Sequence, residues 1–316
     1  MPRHVVLGAG PIGRAVVTRM LAARHEVTVV TRSGTEIPGT DAVRLAGADP
    51  RLREVLEGAA SLVIATNPPY PEWEKEWPPL IDNVIEQAAA TGADIVLIGN
   101  LYGYAPGTSP MTSATPLAPT TRKGAVRARM WETLMDAHRA GRVRVTEIRA
   151  SDYCGPESLA TQGAHVGARF VDPILAGRTA YVVGEPDAPH TWTAVGDIAA
   201  TVMAVLGTDV GWGRAWIVPT EPPRSLNQVA ADIAAAAGLP RVRVRQYPAV
   251  LSWLMGVLVP MMRELREISY QHVEPFVSDG SDTTDLLGVT ATPWNEVISS
   301  TVAAARRRQR SATTAS

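Results

Sequence analysis

The chain has 316 residues, with 30 Lys plus Arg against 31 Asp plus Glu, a formal net charge of -1 and 46% hydrophobic residues. Near-neutrality excludes a polyanion binder working through a global basic field, and the apolar share excludes a wholly disordered chain. The basic total divides into 28 arginines and only two lysines, Lys75 and Lys123, a skew that decides below which proton relay the chain can contain.

Short apolar runs alternate with helical patterns through the first half of the chain, which is the signature of a parallel sheet wound by crossover helices. Strands are predicted at His4–Leu7, Glu26–Thr31, Ala42–Leu45, Ser61–Ala65 and Asp94–Ile98, and helices at Ile12–Ala23, Pro50–Glu57 and Trp77–Thr91. In the last of these Leu80, Val84, Ile85 and Ala88 share one face. A helix over Arg122–Ala140 and a strand over Val143–Ile148 complete a doubly wound α/β core of Rossmann type. Two segments interrupt the rhythm after strand ends, Asn67-Pro68-Pro69-Tyr70-Pro71-Glu72-Trp73 and the Pro/Ser/Thr stretch Tyr104–Thr121. Open α/β sheets bind ligands at the carboxyl ends of their strands, so both are candidate site walls or plain connections.

Beyond Arg149 a smaller mixed lobe is predicted, with helices near Gly163–Ala176, Val195–Leu206, Ser225–Ala237 and Ala249–Val259 and short strands at Ala180–Val183, Ala215–Val218 and Val242–Arg245. The expected division is a dinucleotide-binding domain over residues 1–160, with strands returning from about 180–220, a mostly substrate-binding lobe over 161–305, and a flexible tail over 306–316. A single cysteine, Cys154, forbids an internal disulfide. The histidines at 4, 25, 138, 165, 190 and 272 show no paired metal-ligand spacing, so no metal is expected. No apolar leader precedes the first strand. The apolar run Ala249 to Met262 spans 14 positions, broken by Ser252, Gly256 and Pro260. A membrane helix needs about 20. A cytoplasmic protein with a small-molecule substrate, no nucleic acid and no membrane contact is expected.

Gly8-Ala9-Gly10-Pro11-Ile12-Gly13 follows a predicted strand and opens a predicted helix, the context that makes such a string a dinucleotide fingerprint. Gly8 permits the tight turn, Gly10 lets backbone approach a pyrophosphate, and Gly13 lets helix and strand pack closely, while Pro11 and Ile12 begin the helix whose N-terminus attracts phosphate. NAD enzymes place a carboxylate at the end of the second strand for the ribose 2′-hydroxyl. Here Thr31, Arg32 and Ser33 stand instead, and Arg32 offers a planar fork for a 2′-phosphate with Ser33 as a second donor, so NADP(H) is predicted. Asp49 either accepts from the adenine amino group or caps the following helix. Thr66 and Asn67, after the fourth strand, are expected beside the cofactor.

With these landmarks the chain resembles the extended short-chain dehydrogenases/reductases of the NAD-dependent epimerase/dehydratase family. Leu101-Tyr102-Gly103 is similar to the family's Val-Tyr-Gly, and Arg149-Ala150-Ser151-Asp152-Tyr153-Cys154-Gly155-Pro156 to its Arg-x-x-Asn-Val-Tyr-Gly-Pro. Ile174 to Arg178, Val195 to Ala199 and Leu286-Leu287-Gly288 follow in the family's order. The resemblance implies a Rossmann domain with a small C-terminal substrate lobe, and a dimer interface built by the helices Trp77–Thr91 and Arg122–Ala140; a monomer is the other expectation. It also implies a Tyr-x-x-x-Lys proton relay, which this chain cannot contain, because Pro71 and Pro119 stand four positions before its two lysines. The family spacing places Lys123 at the tyrosine position and Arg127 at the lysine position, on one helix face. Gly99 and Asn100 stand in place of the family's serine.

Three readings follow. In the first, Lys123 supplies a proton or positive charge to a substrate oxygen, Arg127 binds cofactor, and Asn100, Tyr102 and Asp152 assist, giving an atypical NADP-dependent oxidoreductase. In the second, the protein binds NADP(H) without turnover and senses it. The third is a sugar-nucleotide epimerase or dehydratase. Lys123 and Arg127 also fit a solvated helix face beside Arg122 and Arg129. Cys154 reads as a small packing residue or a reactive thiol, and Trp73 and Trp77 as a mobile lid or a helix anchor. The apolar stretch Val250 to Met262 reads as core, dimer contact or the wall of a lipophilic pocket.

Overall fold

The computed structural model describes residues 1–161, 163–247 and 267–314. The predicted helix Ala249–Val259 and the apolar stretch around it lie outside the described residues.

Seven strands form one parallel sheet: β1 (Arg3–Leu7), β2 (Glu26–Thr31), β3 (Asp41–Arg44), β4 (Ser61–Ile64), β5 (Asp94–Asn100), β6 (Val145–Ala150) and, returning late in the chain, β10 (Ala215–Ile217). Their spatial order is β10-β6-β5-β4-β1-β2-β3. Parallel strands covered on both faces read as unbroken apolar runs, and β4 and β6 are buried along their whole length. In β1, Val5 and Leu7 enter one apolar core with Leu62, Ile64, Trp77 and Leu134, while Val6 enters the other with Val16, Met20, Ile198 and Trp216.

The first core is closed by α2 (Leu52–Leu56), α3 (Trp73–Thr91) and α4 (Arg122–Arg139), the second by α1 (Pro11–Ala22) and α6 (Val195–Leu206). The chain order reverses between β1 and β4, which opens the crevice where doubly wound sheets bind ligands.

Helix α3 begins one turn before the predicted Trp77. Trp73 is fully buried and its indole N–H donates to Pro68 O at 2.9 Å, which carries the apolar face back beyond Pro78 and Pro79. Trp73 and Trp77 therefore anchor the helix start.

A third apolar core joins β8 (Ala180–Val182), paired with β11 (Val244–Gln246), to α5 (Ala168–Leu175), α7 (Leu226–Ala236) and α9 (Trp294–Thr314). A two-residue pair, β7 (Tyr153–Cys154) with β9 (Thr193–Ala194), ties the end of β6 to the start of α6, and α8 (Ser281–Leu287) lies between β11 and α9. Cys154 is buried in this third core and burial pushes its thiol up, away from a reactive thiolate. The flexible tail expected from 306 differs: α9 runs through Thr314, Arg308 donates to Leu159 O at 3.2 Å and pairs with Asp172, and Arg306 donates to Ala237 O at 2.8 Å. The Ala/Ser/Thr-rich composition hid the end of a docked amphipathic helix. No helix among the described residues is long and apolar enough to cross a membrane.

Candidate active site

At the crevice the chain turns sharply from β1 into α1. Gly8 has φ +116°, and a Cβ on it would stand 2.7 Å from Ala65 O, so the turn admits glycine only. A Cβ on Gly13 would run into the Gly8 carbonyl, which explains the close packing of helix against strand, and Gly13 does not itself line the cleft. Gly10 faces open space and serves as the N-cap of α1 with no side chain satisfying the helix N–H groups. A phosphate-sized cradle is thus left between Gly8, Gly10, Pro11 and Ile12.

From this cradle a cleft of about 1470 Å³ runs along the carboxyl ends of the strands. Arg32 and Ser33 line it beyond β2, with Arg32 two-thirds exposed and 3.6 Å from Glu76, and no carboxylate at the strand end. Ser33 shares its hydroxyl with Thr35 at 2.8 Å. Asp49 is not among the lining residues: its carboxylate is taken by Arg51, which approaches to 2.6 Å and whose backbone N–H it also accepts, just ahead of α2, whose N-cap is Arg51 and carries no side-chain cap. Thr66 and Asn67 line the cleft beyond β4.

Deeper in, Asn100, Tyr102, Arg127 and Asp152 all line the same cleft. Asn100 spends its side-chain oxygen on the Tyr102 N–H at 3.1 Å and so shapes the turn after β5. Gly99 leaves room for the Glu147 carboxylate, which pairs with Arg149 at 2.7 Å inside the sheet, so a buried ion pair occupies the neighbourhood of the missing serine. Arg127 is buried, donates to Asn67 Oδ1 at 3.1 Å, and stacks its guanidinium 4.6 and 4.8 Å from the Trp73 and Trp77 rings. Its Nε has no partner among the described residues.

Lys123 differs from the expectation. It is not a lining residue of the cleft; its side chain is 4% exposed, with Nζ 3.0 Å from Glu267 Oε2 and its backbone N–H donating to Glu267 Oε1 at 2.9 Å. Burial pushes the Glu267 carboxyl up, but the Lys123 hydrogen bonds and the charges of Lys123 and Arg122 hold it below the usual range. One turn of helix separates Lys123 and Arg127, yet the ion pair draws the first toward Glu267 while the second reaches the cleft.

Sequence reasoning named Tyr102 but missed its partner, Tyr70. Tyr70, from the Pro-rich segment after β4, and Tyr102 place their hydroxyls 2.9 Å apart at the cleft wall. Burial raises both, Tyr102 well above the ordinary tyrosine range and Tyr70 less, since its bond to Tyr102 lowers it. The Pro-rich segment stood out as a candidate site wall, but only the fold shows that Tyr70 within it meets Tyr102. Lys75 and Glu76, in the first turn of α3, were likewise not foreseen as lining residues.

A second assembly was invisible in the sequence. His190 Nε2 lies 3.2 Å and His272 Nδ1 3.9 Å from Asp152 Oδ2, and the His165 ring stacks on that of His272 with centroids 4.0 Å apart. The expectation of no metal-ligating cluster rested on scattered sequence positions. The fold gathers three of the six histidines beside Asp152 because each sits on a different connection.

The residues from 4 to 216 match the model of the NAD dependent epimerase/dehydratase family, and the chain belongs to that family. Among solved structures it is similar to a UDP-glucose 4-epimerase with UDP-glucose from the hyperthermophilic eubacterium Thermotoga maritima (TM-score 0.80, 15% identity, 97% of this chain and 99% of that one). It is also similar to a dTDP-glucose 4,6-dehydratase from Bacillus anthracis in complex with NAD (TM-score 0.76, 15% identity, 98% of both chains). A third is a UDP-N-acetylglucosamine 4-epimerase from Bacillus cereus (TM-score 0.77, 14% identity, 97% of this chain and all of that one). At these identities the likeness establishes the shared fold. No curated protein matches the sequence.

Proposed function

We propose that the protein is an NADP(H)-dependent oxidoreductase that reduces a small, lipophilic carbonyl-type substrate, with the Tyr70–Tyr102 hydroxyl pair in place of the family's catalytic tyrosine. The observation that carries this reading is that Tyr70 and Tyr102, hydroxyls 2.9 Å apart, line the cleft while Lys123, at the usual tyrosine position, is held by Glu267. The cradle fits a dinucleotide: Gly10 faces open space where a Cβ would stand, and the N-terminus of α1 is uncapped. Arg32 and Ser33 favour a 2′-phosphate over a bare hydroxyl, with the phosphate displacing Glu76 from Arg32.

Bound NADPH would supply the hydride; this chain's residues supply position and a proton. In this reading Tyr102 donates to Tyr70, leaving the Tyr70 O–H free to donate to the carbonyl oxygen as the carbon is reduced. Arg127, fixed by Asn67 and two indoles, places a positive charge beside both hydroxyls and steadies the negative charge that develops. A nucleotide-sugar substrate fits less well. Among the described residues lining the substrate end, Arg169 is the one arginine or lysine available for a diphosphate, and Tyr153, Ile268 and Phe276 give the wall apolar surface beside Asp152 and the histidines.

Incubation with NADPH and a panel of ketones, enones and imines tests the reading by loss of nicotinamide absorbance. Consumption that Tyr70→Phe reduces is expected. Tight NADPH binding with no consumption across the panel would contradict it and favour a sensor.

A further inference from the structure

We propose that Asp152, His190 and His272 form a binding site for one divalent first-row transition metal ion, of the zinc or ferrous class, in the substrate end of the cleft. Their ligand atoms lie within 4.8 Å of one another, and the set of two imidazoles and one carboxylate is one that such ions take while keeping positions open for an outside ligand. In a tetrahedral site, bonds of about 2.0–2.1 Å put neighbouring ligand atoms roughly 3.3 Å apart. His190 Nε2 and Asp152 Oδ2 already stand at 3.2 Å, and His272 Nδ1, at 3.9 Å from the same oxygen and within 4.8 Å of His190 Nε2, would have to swing inward by about an ångström to close on both.

Three further observations point to a ligand. First, Asp152 Oδ2 is a buried oxygen that receives no hydrogen bond of good geometry from any described residue, despite its closeness to His190. A buried carboxylate oxygen is costly unless a donor or a cation meets it, and an ion shared with the two imidazoles would do so. Second, His190 Nδ1 lies 3.2 Å from the Gln271 carbonyl, a contact that orients the ring with Nε2 toward the centre, the arrangement a metal-bound imidazole usually has. Ser151 Oγ, 3.4 Å from that Nε2, is its other polar neighbour. Third, the frame is fixed before any ion arrives. Glu185 N–H donates to the His272 carbonyl at 2.6 Å, and Gly184, with φ +90°, lacks the Cβ that would collide with that carbonyl. The His190 ring packs on Trp192 and Phe276, with centroids 4.4 and 5.1 Å away.

His165, stacked on His272 with its buried Nε2 also without a partner among the described residues, stands behind the three as a neutral neighbour or a fourth nitrogen. Asp152 lines the same wall as Tyr102 and its charge acts on both tyrosine hydroxyls. An ion there would accept a lone pair of the substrate oxygen and so polarise the carbonyl. That use rests on the oxidoreductase reading; metal binding itself does not.

The experiment is equilibrium dialysis of tag-free, chelator-stripped protein against Zn²⁺, with the visible absorption of Co²⁺ as a second readout of nitrogen and oxygen coordination. One ion per chain is expected, with at least tenfold weaker binding in His190→Ala and in Asp152→Asn. His25→Ala, remote from the cleft, should bind as the parent does. NADPH titration of each variant reports that the cofactor end is intact, so a failure of the metal site and a failure of the oxidoreductase reading give different results. For any variant that unfolds, His272→Gln, which preserves volume, replaces it. Absence of stoichiometric binding, or binding unchanged by the cleft substitutions or lost in His25→Ala, overturns the proposal.

Discussion

Replacing Lys123 by methionine separates a chemical role from a positioning one. The structure gives Lys123 and Glu267 a 3.0 Å ion pair between side chains that are 4% and 17% exposed. Removing one partner of a fully buried pair costs about 3–5 kcal/mol. Here Glu267 retains the Lys123 backbone N–H at 2.9 Å and a second cation, Arg122, at 3.6 Å, and keeps some contact with water. The loss should therefore fall to about 1–3 kcal/mol, with a lowered Tm and a denaturant midpoint shifted without change of slope. Glu267 directly precedes Ile268, Ser269, Gln271 and His272 of the cleft wall, so KM should rise, while kcat per folded molecule falls less than about tenfold. Lys123→Arg should restore most of the stability. Unchanged Tm together with a loss of kcat by two or more orders of magnitude would refute the reasoning and return Lys123 to the chemistry.

Arg32→Ala should weaken NADPH by about 10- to 100-fold, the worth of one charge-assisted phosphate contact, and leave NADH nearly unchanged; fluorescence titration with both cofactors checks this, and equal losses would discard the phosphate role. Gly10→Ala has room for its Cβ and should keep its Tm but lose dinucleotide affinity, whereas Gly13→Ala, whose Cβ meets the Gly8 carbonyl, should lose stability itself; comparing the two by thermal unfolding and titration tests the cradle. His4, buried between Ser61 and His25 at 2.8 Å each, has its pKa lowered to about 4 by burial and by the charge of His25. The folded state then binds fewer protons than the unfolded chain, so stability present above pH 6.5 is lost as pH falls toward 4, by roughly 3 kcal/mol. Urea unfolding at pH 7 and pH 4.5 should show a larger drop in the parent than in His4→Gln; equal drops would assign the acid sensitivity elsewhere.

The sheet was legible because parallel strands and their crossover helices leave local signatures: the β1 turn glycines, the apolar runs of β4 and β5, and the spacing of Leu80, Val84 and Ile85 in α3. The cradle was legible for the same reason, being continuous in sequence. Chemistry assembled across connections was not. Lys123 and Arg127 share a helix face, and nothing local shows that a carboxylate from residue 267 takes the first. Tyr70 meets Tyr102, and Asp152 meets His190 and His272, only after the chain has closed on itself. Propensity also misled at the C-terminus, where Arg306 and Arg308 find carbonyl partners that composition alone does not reveal.

The central claim is that the paired tyrosines have taken over the proton transfer from the absent relay. Single-turnover consumption of NADPH by the parent, Tyr70→Phe and Tyr102→Phe, with a substrate found in the panel, tests it most directly. The account predicts a rate reduced about 100-fold or more in Tyr70→Phe, a smaller loss in Tyr102→Phe, and NADPH affinity within about twofold of the parent in both. Parent-like rates in both variants would contradict it.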